Sequence, residues 1–486
     1  MGSPARRLVA AAALQLPRWA SVSLTLALAG GCVPHAAAPA AGSSRFAAPA
    51  GNAAGVREVA SASLGPLPVR KWRLANGLEI ITVPDASARS ISYVTTFRVG
   101  SRDEDAAGGQ TGLAHLCEHL MFAGTRGGYR TGEFDRRLEA GGGSANAMTS
   151  YDFTSYVDDI PPALLADTVR LEADRMVNLE LGQGDVTSER DIVVEERLQA
   201  AQDDVDGELE ELVWGQAFRA HPYRWPVIGR MADIKAVTKD RVCNFYQAHY
   251  RPGRAVVVIA GRFDEGPTLD LLASAYGALP ANADRDAPPI APERAPDREV
   301  RAAIERAVPA DRFMVGYPAP GLGDPDRPAY ELVDELLAGG PSARLPRALM
   351  VERELASSVD AEVSQTRDAG LWTIVVQTMK GTPAAAAEEV MQQEIARLLA
   401  QPVSAAELDG ARNRLATSFW KELSSSQGRA DALGRYDVIT GDFRALLERG
   451  AAYARVTPDD VGRVARLYLG SGARSVVVAR PKGDKP

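Results

Sequence analysis

The chain of 486 residues carries 55 Lys and Arg against 63 Asp and Glu, a formal net charge of −8, with 45% hydrophobic and 24% charged residues. That balance belongs to an ordinary soluble globular protein and excludes nucleic acid as a general partner. The length exceeds one typical core and predicts two domains of about 200 residues.

At the N-terminus Arg6, Arg7 and Arg18 precede an apolar run over 22–29, which is too short to span a bilayer. A charged start, a short apolar core and small residues after it predict a secretory signal over 1–31. Its end, Leu28-Ala29-Gly30-Gly31-Cys32, is similar to a bacterial lipoprotein signal, in which Cys32 would become the lipidated first residue. Ala29 departs from that pattern, which usually has a larger aliphatic residue there. Residues 32–66, rich in Ala, Pro, Gly and Ser, read as a flexible tether. The expected location is the bacterial periplasm, with a lipid anchor at Cys32 or, in the competing view, as a free secreted product.

Segments 69–74 and 78–83 flank Asn76-Gly77, a strong hairpin signal, and 90–99 alternates as a third strand. His115-Leu116-Cys117-Glu118-His119 then puts two histidines four apart, with a glutamate before the second. On a helix both imidazoles and Glu118 share one face, while Cys117 points elsewhere as buried filling. Leu116, Leu120 and Met121 supply the apolar face, and Gly124 ends the helix. Two imidazoles suit zinc, and a carboxylate beside the metal's water is the general base such a site needs.

A short helix over 131–140 ends at Gly141-Gly142-Gly143. Strands at 144–151 and 153–160 follow, then helices at 164–179 and 188–198 and a buried strand at 255–260. This order predicts an α+β domain over 67–268, a mostly antiparallel sheet with helices packed on one face. The acidic run 203–211 reads as a solvated helix face, with a preference for basic peptides as its alternative. A Pro-, Asp- and Arg-rich linker spans 269–300.

The domain over 301–486 repeats the first. Strands at 313–317 and 372–377 and helices at 330–337, 384–399 and 405–423 recur, and Arg254-Ala255-Val256-Val257-Val258 is matched by Arg474-Ser475-Val476-Val477-Val478, 220 residues later. All five histidines precede Tyr250, so only the first copy can hold a histidine site. A third ligand must come from an acidic residue or another histidine. The helix 188–198 is the obvious source, because Glu189 and Glu196, seven apart, share a face. One can bind the ion while the other steadies a ligand histidine. His221 and His249 read as structural.

The motif His115-Leu-Cys-Glu-His119-Leu-Met-Phe-Ala-Gly-Thr125, with Asn146-Ala-Met-Thr149, Glu189-Arg-Asp-Ile-Val-Val-Glu-Glu196, His221-Pro222-Tyr223 and Gly229, resembles the pitrilysin/insulinase family of zinc peptidases over nearly all of the mature chain. The resemblance implies one Zn²⁺ per chain held by His115, His119 and Glu196, Glu189 as a supporting acid, and Glu118 as the base. It implies a peptide-binding edge strand at Asn146, Ala147 and Thr149, and a half-length form like mitochondrial processing peptidase, in which two chains close a chamber around an unfolded peptide. In the family the facing chain supplies an arginine and, seven residues on, a tyrosine; the corresponding positions here hold Met350 and Ser357. The expected partner is therefore a homologous non-zinc chain, with a shifted register using Arg353 as the alternative. A non-enzymatic assembly subunit is the competing function.

Overall fold

The computed structural model describes residues 55–203, 205–281, 290–293 and 298–482, and the signal, Cys32 and most of the tether lie outside them. The first half is built on strands β1 (Arg57–Leu64), β2 (Leu67–Arg73), β3 (Glu79–Pro84), β4 (Ile91–Phe97), β5 (Ser144–Thr149), β6 (Thr154–Ile160) and β7 (Ala255–Gly261). They form one sheet in the order β1-β2-β3-β7-β4-β6-β5, in which only β3 and β7 run parallel. The β2–β3 hairpin closes at Asn76-Gly77. There Gly77 takes φ +92°, a region that strains any side chain, and the buried Asn76 amide donates to the Tyr276 carbonyl at 2.7 Å.

Two expected boundaries move. Residues 57–64, assigned to the tether, form β1 and pair antiparallel with β2; their Ala- and Ser-rich sequence has little strand propensity, so the pairing comes from the neighbouring strand. The first half also runs past residue 268, because helix Glu265–Tyr276 buries Leu272 and Tyr276 in its core.

Helices α1 (Leu113–Leu120), α2 (Glu133–Ala140), α3 (Leu165–Asn178) and α4 (Gln183–Asp203) cover one face of this sheet. The second half carries β8 (Val300–Arg306), β9 (Arg312–Ala319), β10 (Ala356–Val363), β11 (Gly370–Thr378) and β12 (Ser475–Pro481), ordered β10-β11-β9-β12-β8. Read from its other edge, β8-β12-β9-β11-β10 repeats β3-β7-β4-β6-β5, and its parallel pair, β8 with β12, falls at the same place. The duplication is thus present in strand order as well as in sequence.

The opposite face of each sheet is closed by the other half. Helix Ser426–Thr440 lays Leu433, Tyr436 and Val438 on Val94, Val256 and Val258 of the first sheet. In return α5 (Val205–Ala217) lays Leu209, Val213 and Trp214 on Met314, Leu371 and Val477 of the second. This is why β4 and β7 are buried at every position. The acidic run around α5 is not a solvated face: Asp206 pairs with Arg312 and Glu208 with Arg306 of the second half. Apolar residues interleaved with these acids bury the helix, leaving the carboxylates at its rim opposite arginines. No helix among the described residues is long and apolar enough to cross a membrane.

Candidate metal centre

Helix α1 starts at Gly112 in the left-handed region, φ +90°, without a capping side chain of its own. The cap comes from the preceding loop. Glu104, buried, accepts the Gly112 N–H at 3.0 Å and the Ala114 N–H at 2.9 Å, so its carboxyl group satisfies two of the free N–H groups of the first turn. A Cβ on Gly112 would stand 2.6 Å from the Ile228 carbonyl oxygen, and one on Gly229 would stand 2.6 Å from Gly112 Cα. Two backbones therefore meet where the helix begins, and both positions need glycine. Leu113, Leu116, Cys117 and Leu120 face the core, leaving His115, Glu118 and His119 on the other side.

α4 lies against α1 and brings its acids to that side. Glu196 Oε2 is 3.9 Å from His115 Nε2 and 3.5 Å from His119 Nε2, and the two imidazole centroids are 4.8 Å apart. Among the described residues, these three side chains form the one group of at least three His, Cys, Asp or Glu whose donor atoms all lie within 4.8 Å of one another. Two ring nitrogens and a carboxylate oxygen converging on one point are a donor set suited to a divalent ion. Glu189, about two helical turns earlier on α4, approaches His119 Nδ1 at 3.4 Å from the far side of the ring. Cys117 and His249 stand outside the group, and His221 lies at the seam between the halves.

Charge is divided sharply between the two imidazoles. Burial, then the neighbouring His119, pushes His115 down to about 4, and its Nδ1 is buried without a partner among the described residues. His119 rises to about 10, because hydrogen bonds to Glu189 and Glu196 outweigh the burial that opposes them. Glu196 is held below the usual carboxylate range by its hydrogen bond to His119, against burial. Burial raises Glu118, opposed by the Thr149 hydroxyl that donates to its Oε2.

β5 ends the sheet beside this cluster, and its residues alternate between exposed and half-buried. Asn146 is exposed and accepts the Ala147 N–H on its own side-chain oxygen at 2.9 Å. Thr149 sits at the end of the strand, on Glu118. The motifs do not reveal that contact, nor the Glu104 cap, since both depend on how loops return to the helix. In the second half Met350 is exposed on the π-helical segment Arg347–Glu352, and the exposed Ser357 donates to the Gln377 carbonyl.

The chain matches two family models: "Insulinase (Peptidase family M16)" over residues 79–230 and "Peptidase M16 inactive domain" over residues 236–415. It is 29% identical to the zinc protease PqqE of Helicobacter pylori over 416 residues, 84% of this chain and 92% of that protein. An uncharacterized zinc protease of Streptomyces coelicolor is 30% identical over 425 residues, 86% of this chain and 90% of the relative. A probable mitochondrial-processing peptidase subunit beta of Arabidopsis thaliana is 25% identical over 433 residues, 86% and 79% of the two chains. Among solved structures, a protease from Helicobacter pylori superposes with a TM-score of 0.79 at 28% identity, covering 85% of this chain and 99% of that one.

Proposed function

The chain belongs to the insulinase family, peptidase family M16, and from that membership we propose that it is a zinc-dependent endopeptidase acting on unfolded peptides. The observation that carries this reading is the meeting of His115, His119 and Glu196 from two helices, with Glu118 on the same face of α1. That donor set fits zinc with one coordination position left over, as catalytic zinc sites have. The name zinc protease borne by two relatives supports the same metal. When held by these three residues, zinc supplies a Lewis acid that brings the ionisation of water toward ~7. Glu118 takes the proton from water on its carboxylate and returns it to the leaving amine. The Thr149 hydroxyl orients that carboxylate, and Glu189 holds His119 by Nδ1, keeping Nε2 turned toward Glu196. Asn146, Ala147 and Thr149 offer a strand edge to which an extended peptide adds through its backbone.

The arginine–tyrosine pair comes, in this reading, from a homologous non-zinc chain that closes a chamber with this one. Met350 has no donor, and the Ser357 hydroxyl is already engaged with its own sheet. The candidate ligands all lie in the first half, and the second half contains no histidine. We also propose that residues 1–31 act as a lipoprotein-type signal, giving a periplasmic chain with a lipid on Cys32; palmitate labelling lost in Cys32→Ala tests this.

The central experiment measures zinc content and cleavage of a quenched unfolded peptide, with and without an Arg- and Tyr-bearing homologue. Activity is expected to need both chains, to vanish on chelation and to return with zinc. Full activity of a homodimer sinks the partner assignment. A zinc-loaded pair without peptidase activity favours the assembly-subunit reading.

A further inference from the structure

The turn that ends β5 is gripped from both halves of the molecule. Asp152, 2% exposed, lies between β5 and β6. Its Oδ1 accepts from Arg102 Nη1 at 2.6 Å, and the Tyr223 hydroxyl is shared between Oδ1 and Oδ2 at 2.8 and 2.9 Å. Its Oδ2 also accepts the Arg367 backbone N–H at 2.9 Å, from the loop joining β10 to β11 in the metal-free half. Arg102 Nη2 continues to Asp368 of the same loop at 2.7 Å, and the Asp368 N–H donates to the Tyr223 hydroxyl at 3.3 Å. His221 closes the ring. Its Nδ1 accepts the Tyr223 N–H at 3.2 Å, so Nε2 carries the hydrogen that faces Asp368, also at 3.2 Å.

The backbone is clamped as well. Ser101 and Arg102 N–H donate to the Ser150 and Tyr151 carbonyls at 3.1 and 3.0 Å. A Cβ on Gly100 would stand 2.4 Å from the Tyr151 oxygen, so the approach needs glycine. One residue before this turn, Thr149 donates to Glu118. β5 is an edge strand whose single neighbour in the sheet is β6, and its C-terminal end at Thr149 runs directly into this turn.

We propose that Asp152 is a positioning residue for the hydrolytic site: by fixing this turn it sets the register of β5 and seats the Thr149 hydroxyl on Glu118, so the metal-free half aligns both the base and the peptide-binding edge. The role rests on the peptidase reading, whereas the placement rests on geometry alone. A carboxylate is needed there because every group facing it is a donor. An asparagine would turn an NH₂ toward one of them.

The test is a double-mutant cycle of Asp152→Asn and Thr149→Val in the full zinc-loaded chain with the partner that its activity requires. Asp152→Asn is expected to lower kcat/KM by about 10- to 100-fold, the scale of a small misplacement of reacting groups, with zinc stoichiometry unchanged. Thr149→Val should then cost far less in the Asp152→Asn background than alone, since both act through one contact. Additive losses, an unchanged kcat/KM, or loss of zinc in Asp152→Asn would each overturn the proposal. If Asp152→Asn does not fold, Tyr223→Phe, which removes one hydroxyl, carries the same cycle. Hydrogen exchange separates this inference from the peptidase reading. The β5 amides should exchange about tenfold faster in the variant than in the parent while the rest of the sheet keeps its protection. Unchanged β5 protection overturns the proposal even if the enzyme is active, whereas faster exchange with no peptide cleaved upholds the placement of β5 and overturns the peptidase reading.

Discussion

Glu118 and Glu189 differ in what they touch, and their variants should fail differently. Glu118 meets the Thr149 hydroxyl and stands outside the three-residue donor group. Glu118→Gln is expected to keep zinc at the parent stoichiometry while kcat falls by about 10³-fold, within the range for loss of a general base; metal analysis alongside peptide cleavage checks both. Surviving turnover would mean that another group takes the proton. Glu189 reaches the site through His119 Nδ1. Glu189→Gln should weaken zinc affinity or activity by roughly 10- to 100-fold, as removal of an outer partner does, read by competition with a chelator.

At the scale of the element, α1 depends on a cap that is remote in sequence. Glu104→Ala leaves the Gly112 and Ala114 N–H groups buried without acceptors and should cost about 1–3 kcal/mol in denaturant unfolding. The loss is pH-dependent. Burial, only partly opposed by the two N–H bonds, pushes Glu104 up to about 8 from an ordinary 4.5. Between those values the folded state holds a proton that the unfolded chain has lost. The contribution is therefore complete below about 4.5 and is lost as the pH rises through about 8. The advantage of the parent over the variant in urea midpoint should shrink as the pH rises from about 4.5, and a constant gap would show that Glu104 does not titrate there.

The whole molecule is interlocked, because each half closes the open face of the other's sheet. Asp437, fully buried on helix Ser426–Thr440, pairs with Lys71 at 2.7 Å, and Lys71 pairs with Glu79 at 2.9 Å in the first half. Asp437→Asn strips one partner from a buried pair and should cost about 3 kcal/mol, the low end for such a loss because Glu79 still faces the lysine. With both inter-half cores shared, calorimetry should give one cooperative transition in parent and variant alike. Two separated transitions would show that the halves fold independently.

The helix carrying His115 and His119, the duplication and the hairpin at Asn76-Gly77 were legible from sequence because each is written in local spacing: histidines four apart, acids seven apart, an apolar strand repeated 220 residues on. Helical and strand periodicity convert such spacing directly into faces. The sequence also placed Glu189 and Glu196 on one helical face, and the structure brings both to the histidines, Glu196 to the two Nε2 atoms and Glu189 to His119 Nδ1. Tertiary structure alone decided that the acidic run around α5 faces arginines, that 57–64 is a strand, that Glu104 caps α1, and that Asp152 is bound by a loop more than two hundred residues away. None of these has a period. Each is a long-range contact made when a sheet needs its second face covered or a buried polar group needs a partner, and such needs arise only once the chain has folded.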